Sequence, residues 1–178
     1  MYKMIYHNKN GLIIRSMVEY DIEKLVKGFL EQGWHKSCEL FVEYYNQQER
    51  NEKEVIVAEI DKDVAGYVTL LPNAETGPFA NKNIPEIVDF NVLIKYQKRG
   101  IGSKIMDVAE ELAKKKSDYV SLAVGLHNGY GSAQRMYVKR GYIPDGSGVW
   151  YNGKILEPYS RCVNDDDLIL YFSKCLIM

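Results

Sequence analysis

The sequence predicts an α/β (α+β) fold in which a mixed β-sheet carries helices on both faces. Two observations lead to this prediction. Seven apolar segments have the composition of strands and four longer segments repeat apolar residues at helical spacing, in the order β-α-α-β-β-β-α-β-α-β-β. No repeat, low-complexity segment or flexible linker interrupts this order. Residues 1–178 are therefore expected to form a single domain.

The first predicted elements are a strand and two amphipathic helices. The strand is the apolar segment LIIRSM at 12–17. In the helix predicted over 18–33, apolar residues recur every three or four positions, and Gly33 is placed to end the helix. A second helix is predicted over 36–50. Its buried side is expected to consist of Leu40, Phe41, Tyr44 and Tyr45.

Three strands follow these helices. The segments EVIVAEI (54–60) and VAGYVTLLP (64–72) are joined by the short polar sequence DKD, which predicts an antiparallel hairpin. A loop is expected over 73–83. The segment IPEIVDFNVLI (84–94) then predicts a strand that runs directly into the sequence QKRGIG.

The second half of the chain alternates helices and strands. A helix with one apolar stripe begins at Ile101, and a strand is predicted over 119–126. A further helix is predicted over 129–142, and the last strands are expected near 148–151 and 167–174. Small residues occupy one face of the 119–126 strand and leave room for a close approach, namely Ser121, Ala123 and Gly125.

Composition and charge exclude several classes of function. The net charge of −1 and the pI of about 6.3 give no overall field that would attract nucleic acid or a membrane surface, and no segment predicts a transmembrane helix. The three cysteines, Cys38, Cys162 and Cys175, are widely spread and lack metal-ligand spacing. They are expected to be reduced thiols in a cytoplasmic protein without a metal.

The junction QKRGIG combines two cations and two glycines where a strand becomes a helix. Backbone N–H groups in the first turn of a helix lack intrahelical partners, and glycines allow the chain to direct several of them at one anion. Lys98 and Arg99 add full positive charges beside them. The sequence fits neither a P-loop nor a dinucleotide-binding fingerprint. From the glycines alone, either a diphosphate site or a simple tight turn remains open.

Two motifs resemble those of the GNAT acetyltransferases. The segment FNVLIKYQKRGIG resembles the family's motif A, with Gln97, Gly100 and Gly102 at its characteristic positions and Ile94 in place of the usual proline. The segment YGSAQRMYVKRGY resembles the second signature of the family, although Tyr130 replaces the customary asparagine. The resemblance extends from about residue 12 to residue 174. It implies a mostly antiparallel central sheet of about seven strands, in which splayed parallel strands form the cofactor cleft.

The resemblance also implies acetyl-CoA as the co-substrate. The backbone of the 97–103 turn would hold the pyrophosphate, and the backbone of Val92 and Ile94 would pair with the pantetheine arm like an added strand. The residues that the resemblance assigns to cofactor binding are Val92, Ile94, Gln97, Lys98, Arg99, Gly100, Ile101, Gly102, Ser103, Tyr130, Ala133 and Tyr137.

Within this resemblance, Tyr137 is the candidate general acid, which would protonate the departing thiolate. The alternative is that Tyr137 is only a core aromatic residue. Glu86 is the first candidate general base, because period-two alternation places it on the same strand face as Val92. Asp89, on the opposite face, and His127 are the second and third candidates, and a chain of water molecules could replace all of them.

The expected activity is transfer of the acetyl group of acetyl-CoA to a primary amine of a small molecule. Acetylation of a protein N-terminus or a lysine side chain, and a regulatory domain that binds acyl-CoA without catalysis, are the alternatives. The amine would bind near Trp34 and His35 and along the aromatic and acidic segment 149–168. A homodimer is also left open.

Overall fold

The computed structural model describes residues 4–177 of the chain. Within these residues the helices are α1 (Asp21–Glu31), α2 (Cys38–Glu49), α3 (Ile101–Lys114) and α4 (Gly131–Lys139). The strands in the same part are β1 (Ile5–Lys9), β2 (Leu12–Ser16), β3 (Glu54–Ile60), β4 (Asp63–Leu71), β5 (Glu86–Val92), β6 (Tyr119–Gly125), β7 (Ile143–Tyr151), β8 (Lys154–Ile155) and β9 (Leu168–Cys175). No helix of the described residues has both the length and the apolar character needed to cross a bilayer.

The strands hydrogen-bond in the order β1-β2-β3-β4-β5-β6-β9-β7-β8. The β2–β3, β3–β4, β6–β9 and β7–β9 ladders are antiparallel, whereas β5 and β6 are parallel. This mostly antiparallel sheet with helices confirms the predicted fold class. The described part of the chain contains nine strands rather than the seven expected from the sequence.

Both additional strands belong to hairpins that turn on an Asn-Gly dipeptide. The turn between β1 and β2 has Asn10 at φ 53° and Gly11 at φ 79°, and the turn between β7 and β8 has Asn152 at φ 49° and Gly153 at φ 73°. Two consecutive residues with positive φ are typical of the type I′ turn that matches the twist of a β-hairpin, and Asn-Gly is its preferred sequence. The sequence therefore carried a signal for both strands.

Residue contacts divide the chain into two compact units. Unit 1 comprises the residues up to Leu71 together with Val88–Leu112, and unit 2 comprises Pro72–Ile87 together with the residues from Ala113 onward. Strand β5 thus begins in unit 2 and continues in unit 1. The prediction of a single domain over 1–178 stays a prediction.

The core of unit 1 packs α1 and α2 against β3 and β4. Its largest buried side chains include Phe29, Phe41 and Tyr67, whose rings contact one another in stacked and edge-to-face arrangements at centroid distances of 5.5 to 6.1 Å. The predicted helical spacing accounts for the contributions of α1 and α2. The predicted hairpin is confirmed, with Asp61 and Lys62 in its turn, both at positive φ.

Unit 1 also buries a guanidinium group completely. The Arg15 side chain on β2 donates to both carboxylate oxygens of Asp21 at 2.5 and 2.7 Å and to Glu59 Oε2 at 2.6 and 2.9 Å. Arg15 and Asp21 are fully buried. Because a buried charge is tolerated only when it is paired and hydrogen-bonded, this network fixes the start of α1 against β2 and β3.

Unit 2 contains the ladders of β9 with β6 and β7 and a small apolar cluster around Tyr171. Strand β7 begins at Ile143, five positions before the predicted strand near 148–151, and its register with β9 shifts between Pro144 and Val149. Gly146 and Gly148 within this interval have positive φ. A strand that contains proline and glycines and is irregularly paired has a weak sequence signal, which explains the late predicted start.

Gly66 on β4 permits a close approach of β5 that no larger residue would allow. A Cβ atom on Gly66 would lie 2.5 Å from the carbonyl oxygen of Asn91 and 2.9 Å from Cα of Val92. Both atoms belong to the backbone, so neither can move without shifting β5. We expect Gly66→Ala to lower the free energy of unfolding by about 2 kcal/mol or more.

The matched control for Gly66→Ala is Gly131→Ala in α4. No atom lies within 4 Å of the Cβ position at Gly131, and alanine favours helices, so this change should be neutral or slightly stabilising. Urea unfolding of both variants measures the difference. Equal stability of the two variants would show that β4 and β5 do not require this approach.

Candidate active site

The turn that precedes α3 lies in unit 1 and is exposed over residues 97–100. Lys98 at φ 60° and Gly100 at φ 77° both adopt left-handed backbone conformations, and nothing lies within 4 Å of a Cβ position on Gly100. The first backbone bond of the helix runs from Lys104 N to Gly100 O. The N–H groups in the first turn of an α-helix have no partner inside the helix, so a tightly curled chain at the start of α3 has the form that an anion site requires.

The contacts around this turn explain its shape. Gln97 Nε2 donates to the carbonyl oxygen of Val92 at 3.0 Å, which folds the turn back onto the end of β5. A Cβ atom on Gly102 would lie 3.2 Å from Cζ of Phe90 and 3.5 Å from Cγ2 of Val92. The Arg99 guanidinium lies 5.7 Å from the ring centroid of Tyr96.

Strand β5 ends at Val92, two residues before the predicted end at Ile94. Ile94 opens a short 3₁₀ turn, Ile94–Tyr96, and its N–H donates to Gln32 Oε1 at 2.9 Å. The N–H group that the sequence interpretation assigned to the pantetheine arm is therefore engaged within the protein. The strand boundary was wrong, and contact of Val92 and Ile94 with pantetheine stays a prediction.

The Asp89 carboxylate on β5 accepts four hydrogen bonds within unit 1. The φ of Asp89, 48°, is left-handed, so the alternation of side chains along β5 is interrupted at this residue. The period-two argument that placed Glu86 and Val92 on one face therefore does not hold. Oδ1 of Asp89 accepts hydrogen bonds from Lys36 Nζ at 2.5 Å and from Asn91 Nδ2 at 2.8 Å.

The second carboxylate oxygen of Asp89 is also engaged. Oδ2 accepts from the hydroxyls of Tyr44 at 3.0 Å and Tyr67 at 2.5 Å. Burial, and then the charge of Asp89, raise the pKa of both tyrosines, so they remain hydrogen-bond donors. Four donors, one of which is the Lys36 ammonium group, engage both oxygens of Asp89, which leaves Asp89 a structural partner of these side chains. Three of these partners come from the α1–α2 connection, α2 and β4, and nothing in the local sequence of β5 indicates them.

Glu86 lies in unit 2 and has the opposite environment. It is buried, with 7% of its surface exposed, and its register partner on β6 is Ser121. In the described part of the chain no side chain forms a hydrogen bond or ion pair with its carboxylate. Burial, followed by the charge of Glu75, raises the pKa of Glu86 from 4.5 to about 7. A carboxyl group with this pKa can accept and release a proton near neutral pH.

Tyr137 on α4 is buried in unit 2, with 5% of its surface exposed. Its ring lies 5.7 Å from that of Tyr142, and its carbonyl oxygen accepts from the backbone N–H groups of Arg140 and Tyr142 at the end of the helix. Burial, followed by the charge of Tyr130, raises the pKa of Tyr137. The hydroxyl is therefore protonated throughout the neutral range and has a proton to donate.

His127 and Tyr130, also in unit 2, are joined through Asp166. The Gly129 N–H donates to His127 Nδ1 at 3.0 Å, so in the neutral ring Nε2 carries the hydrogen and donates to Asp166 Oδ1 at 2.9 Å. The Tyr130 hydroxyl donates to the same oxygen at 2.9 Å. Both ring nitrogens of His127 are thus engaged, which disfavours it as a base. Tyr130 also packs against Gly125, where a Cβ atom would lie 2.3 Å from the tyrosine ring.

A stability measurement tests the environment of Glu86. Because burial raises its pKa, the unfolded chain releases the proton near pH 4.5 and the folded protein near pH 7. Stability contributed by protonated Glu86 is complete below pH 4.5 and is lost as pH rises to about 7. Relative to the unmodified protein, we expect Glu86→Gln to be neutral at low pH and to stabilise by roughly 3 kcal/mol above pH 7.

Urea unfolding between pH 4 and pH 8 measures this effect. Glu157→Gln, which removes an exposed carboxylate of unit 2, is the control and should not change the pH dependence. A Glu86→Gln curve parallel to that of the unmodified protein would contradict a buried, uncompensated carboxyl group at this position.

Comparison with protein families and with known sequences shows which proteins the chain resembles. The family model described as Acetyltransferase (GNAT) family matches residues 20–142, which include the turn at 97–103, Glu86 and Tyr137. No curated protein sequence shows significant similarity to the chain. Among residues 4–177, no group of histidine, cysteine and acidic side chains is arranged to hold a metal ion.

Several solved structures share the fold. An N-acetyltransferase from Staphylococcus aureus Mu50 has a TM-score of 0.70 at 16% identity, covering 93% of this chain and 99% of that one. The Salmonella typhimurium protein yncA, solved with its cofactor acetyl-CoA, has a TM-score of 0.69 at 14% identity, covering 94% and 95%. A ribosomal-protein-alanine N-acetyltransferase from Brucella melitensis has a TM-score of 0.68 at 17% identity, covering 91% and 98%. At these identities the similarity establishes the fold alone.

Proposed function

We propose that the chain, which belongs to the acetyltransferase (GNAT) family, transfers the acetyl group of acetyl-CoA directly to a primary amine of a small molecule. The observation that carries the proposal is the exposed, left-handed turn at Lys98 and Gly100, which lies inside the family match and precedes α3. An acyl donor with a diphosphate group suits a glycine-bent helix start, where backbone N–H groups and the helix dipole favour an anion.

In this proposal the 97–103 turn binds the pyrophosphate through backbone N–H groups. The charges of Lys98 and Arg99 add attraction for the anion, and both side chains belong to exposed residues. Gly102 has no side chain on the side that faces Phe90 and Val92, so the start of α3 packs closely against the end of β5. Acetyl-CoA is the co-substrate, and the reaction itself requires no metal because the thioester is already activated for attack by an amine.

The transfer needs one proton acceptor and one proton donor. An amine that arrives as an ammonium ion gives a proton to the base, and its nitrogen lone pair attacks the thioester carbonyl carbon. The C–N bond forms, the C–S bond breaks, and the thiolate of CoA accepts a proton from the donor. The nitrogen releases its second proton as the amide appears, and this proton restores the donor, so the products are the N-acetylated amine, free CoA and the protonated base.

Glu86 is the base that the local environments favour. Its carboxylate lacks a hydrogen-bond partner among the described residues and its pKa is raised to about 7, whereas Asp89 accepts four hydrogen bonds. A group must have a free lone pair to take a proton, and His127 has neither nitrogen free. We therefore assign proton removal to Glu86, with water as a relay where direct contact is lacking.

Tyr137 is the proposed acid. Its raised pKa keeps the hydroxyl protonated but also makes it a weaker acid than the CoA thiol. The proton therefore moves to sulfur only as negative charge develops there, when a hydrogen bond from the hydroxyl becomes strongest.

A protein N-terminus or lysine is the alternative acceptor, and a non-catalytic acyl-CoA-binding domain is the alternative outside enzymes.

We further propose that the protein acts in the cytoplasm. Cys38, Cys162 and Cys175 are free and exposed, a state that a reducing compartment maintains. Whether two copies form a homodimer stays a prediction from the sequence.

Acetyl-CoA binding tests the cofactor assignment. We expect calorimetry to show a dissociation constant in the micromolar range, which is usual for co-substrates. Gly100→Ala should weaken binding at least about tenfold, because a left-handed backbone costs a non-glycine residue roughly 1 kcal/mol and the turn will relax away from its binding shape.

Gly11→Ala is the matched control for Gly100→Ala. Gly11 has φ 79°, against 77° at Gly100, and neither position has an atom within 4 Å of its Cβ site. Both variants should lose similar stability, but only Gly100→Ala should lose affinity. Absence of any heat with acetyl-CoA and with CoA on the unmodified protein would overturn the cofactor assignment.

Replacement of Tyr137 tests its role as the acid. Tyr137→Phe removes a hydroxyl and almost no volume, so acetyl-CoA affinity should barely change while kcat falls about 10²-fold. Release of CoA, measured against a panel of small amines and an alanine-terminated peptide, reports kcat and KM.

Tyr142→Phe is the control, because its ring contacts that of Tyr137 and both side chains are buried. It should retain kcat. Full activity in a stably folded Tyr137→Phe variant would remove Tyr137 from the mechanism. Absence of CoA release with every acceptor, despite acetyl-CoA binding, would favour the non-catalytic alternative.

A further inference from the structure

The short 3₁₀ turn Ile94–Tyr96 joins the end of β5 to the exposed turn at 97–100, and other elements of unit 1 hold it in place. Directly after α1, Gln32 Oε1 accepts from the first N–H of the 3₁₀ turn at 2.9 Å. At the end of the turn, the ring of Tyr96 packs against the buried core of unit 1. The Tyr96 hydroxyl donates to Asp63 Oδ2 at 3.1 Å, at the first residue of β4.

Both oxygens of the Asp63 carboxylate are engaged. Oδ1 accepts from the backbone N–H of Val64 at 3.0 Å, so the carboxylate is oriented by its own strand. Oδ2 accepts from the Tyr96 hydroxyl and from Lys95 Nζ, the latter at 3.2 Å. A carboxylate with several hydrogen bonds has a defined orientation, which an isolated pair of surface charges lacks. Asp63 therefore fixes two consecutive side chains of the 3₁₀ turn.

Two cations beside Tyr96 have different partners. Lys95 Nζ is paired with Asp63 and, at 3.5 Å, with Glu31 Oε2. Arg99 forms no ion pair with a residue that the structure describes, and its guanidinium lies 5.7 Å from the ring centroid of Tyr96. A guanidinium that contacts an aromatic ring keeps its N–H donors for an anion. Arg99 is thus available to a ligand, and the Tyr96 ring supports its side chain.

We infer that Asp63 is a positioning residue for the diphosphate group of the cofactor. It holds the Tyr96 side chain, and Tyr96 in turn holds the Arg99 guanidinium at the 97–103 turn. This inference rests on the proposed binding of acetyl-CoA and adds a residue that acts on the cofactor through two others. Asp63 lies outside both sequence motifs that indicated the family.

The direction of the effect on affinity separates positioning from simple electrostatics. A carboxylate repels an anionic cofactor, so by charge alone the removal of Asp63 would strengthen binding. Positioning predicts the opposite result. Without the carboxylate the Tyr96 hydroxyl loses its acceptor, the Arg99 guanidinium loses a fixed support, and binding must then order both side chains.

Calorimetry with CoA, which has no acetyl group to transfer, measures this effect. We expect Asp63→Ala to raise Kd about fivefold, within the usual range for the loss of one hydrogen bond. Asp63→Asn removes the charge but keeps an oxygen that accepts from Tyr96, so it should bind CoA at least as tightly as the unmodified protein. Glu23→Ala removes an exposed carboxylate of α1 and is the control for charge, which should not raise Kd. Thermal unfolding confirms that each variant is folded at the temperature of the titration.

Double variants test the route through Tyr96 and Arg99. Tyr96→Phe keeps the ring and removes the hydroxyl, so it should weaken CoA binding as Asp63→Ala does, and the two changes together should have no larger effect than one. In a protein that carries Arg99→Gln, the further change Asp63→Ala should alter Kd less than about twofold. The affinity for pantetheine, which lacks the nucleotide and its diphosphate, should be the same in all these variants when measured by competition with CoA.

The same titrations distinguish failure of this inference from failure of the proposed function. If CoA binds the unmodified protein and binds Asp63→Ala equally well or more tightly, the inference is overturned and the proposed function stands. Independent losses from Asp63→Ala and Arg99→Gln, or an equal loss of pantetheine affinity, also overturn it, because Asp63 would then act on the fold as a whole. An Asp63→Asn variant as weak as Asp63→Ala excludes the hydrogen bond as the cause and has the same consequence. If the unmodified protein binds neither acetyl-CoA nor CoA, the proposed function fails and the inference fails with it.

Discussion

The arrangement of unit 1 depends on the hydrogen bonds that the Asp89 carboxylate accepts. Four donors from separate elements converge on it, namely Lys36 before α2, Tyr44 on α2, Tyr67 on β4 and Asn91 on β5 itself. A left-handed residue within a strand costs free energy, and asparagine and aspartate tolerate it best. The hydrogen bonds offset that cost and hold β5 in its interrupted form. The end of β5 and the following turn take their position from this strand.

Buried charged groups have different surroundings in the two units. In unit 1, Arg15 and Asp89 are surrounded by complementary hydrogen-bonding groups that satisfy their charges. In unit 2, Glu86 is buried without such partners and its pKa moves to about 7. Burial of a carboxyl group without partners lowers stability. Such groups are retained at positions where they must change protonation state or bind a ligand. This contrast is the physical basis for preferring Glu86 over Asp89 as the base.

Several features of the fold were accessible from sequence because they depend on local chemistry. The helical spacing in α1 and α3 and the DKD turn of the β3–β4 hairpin each act over a few residues, and all three were predicted. Strands β1 and β8 were missed, although the Asn-Gly dipeptides at their turns are an equally local signal. The early start of β7 could not be predicted from the sequence, because Pro144 and the glycines after it disfavour a strand. They form one here through pairing with β9.

The sequence by itself determined the family, the glycine-bent helix start and the candidate acid and base, because motif spacing fixes which residue types follow one another. Only the tertiary structure decided how those candidates differ. Glu86 and Asp89 are two carboxylates three positions apart, and nothing local to the chain distinguishes them. Asp89 is hydrogen-bonded by Lys36 and Tyr67, which are distant in sequence, whereas burial and then the charge of Glu75 raise the pKa of Glu86. A pKa reflects burial and charges in three dimensions, so the fold must form before these two carboxylates acquire different chemistry.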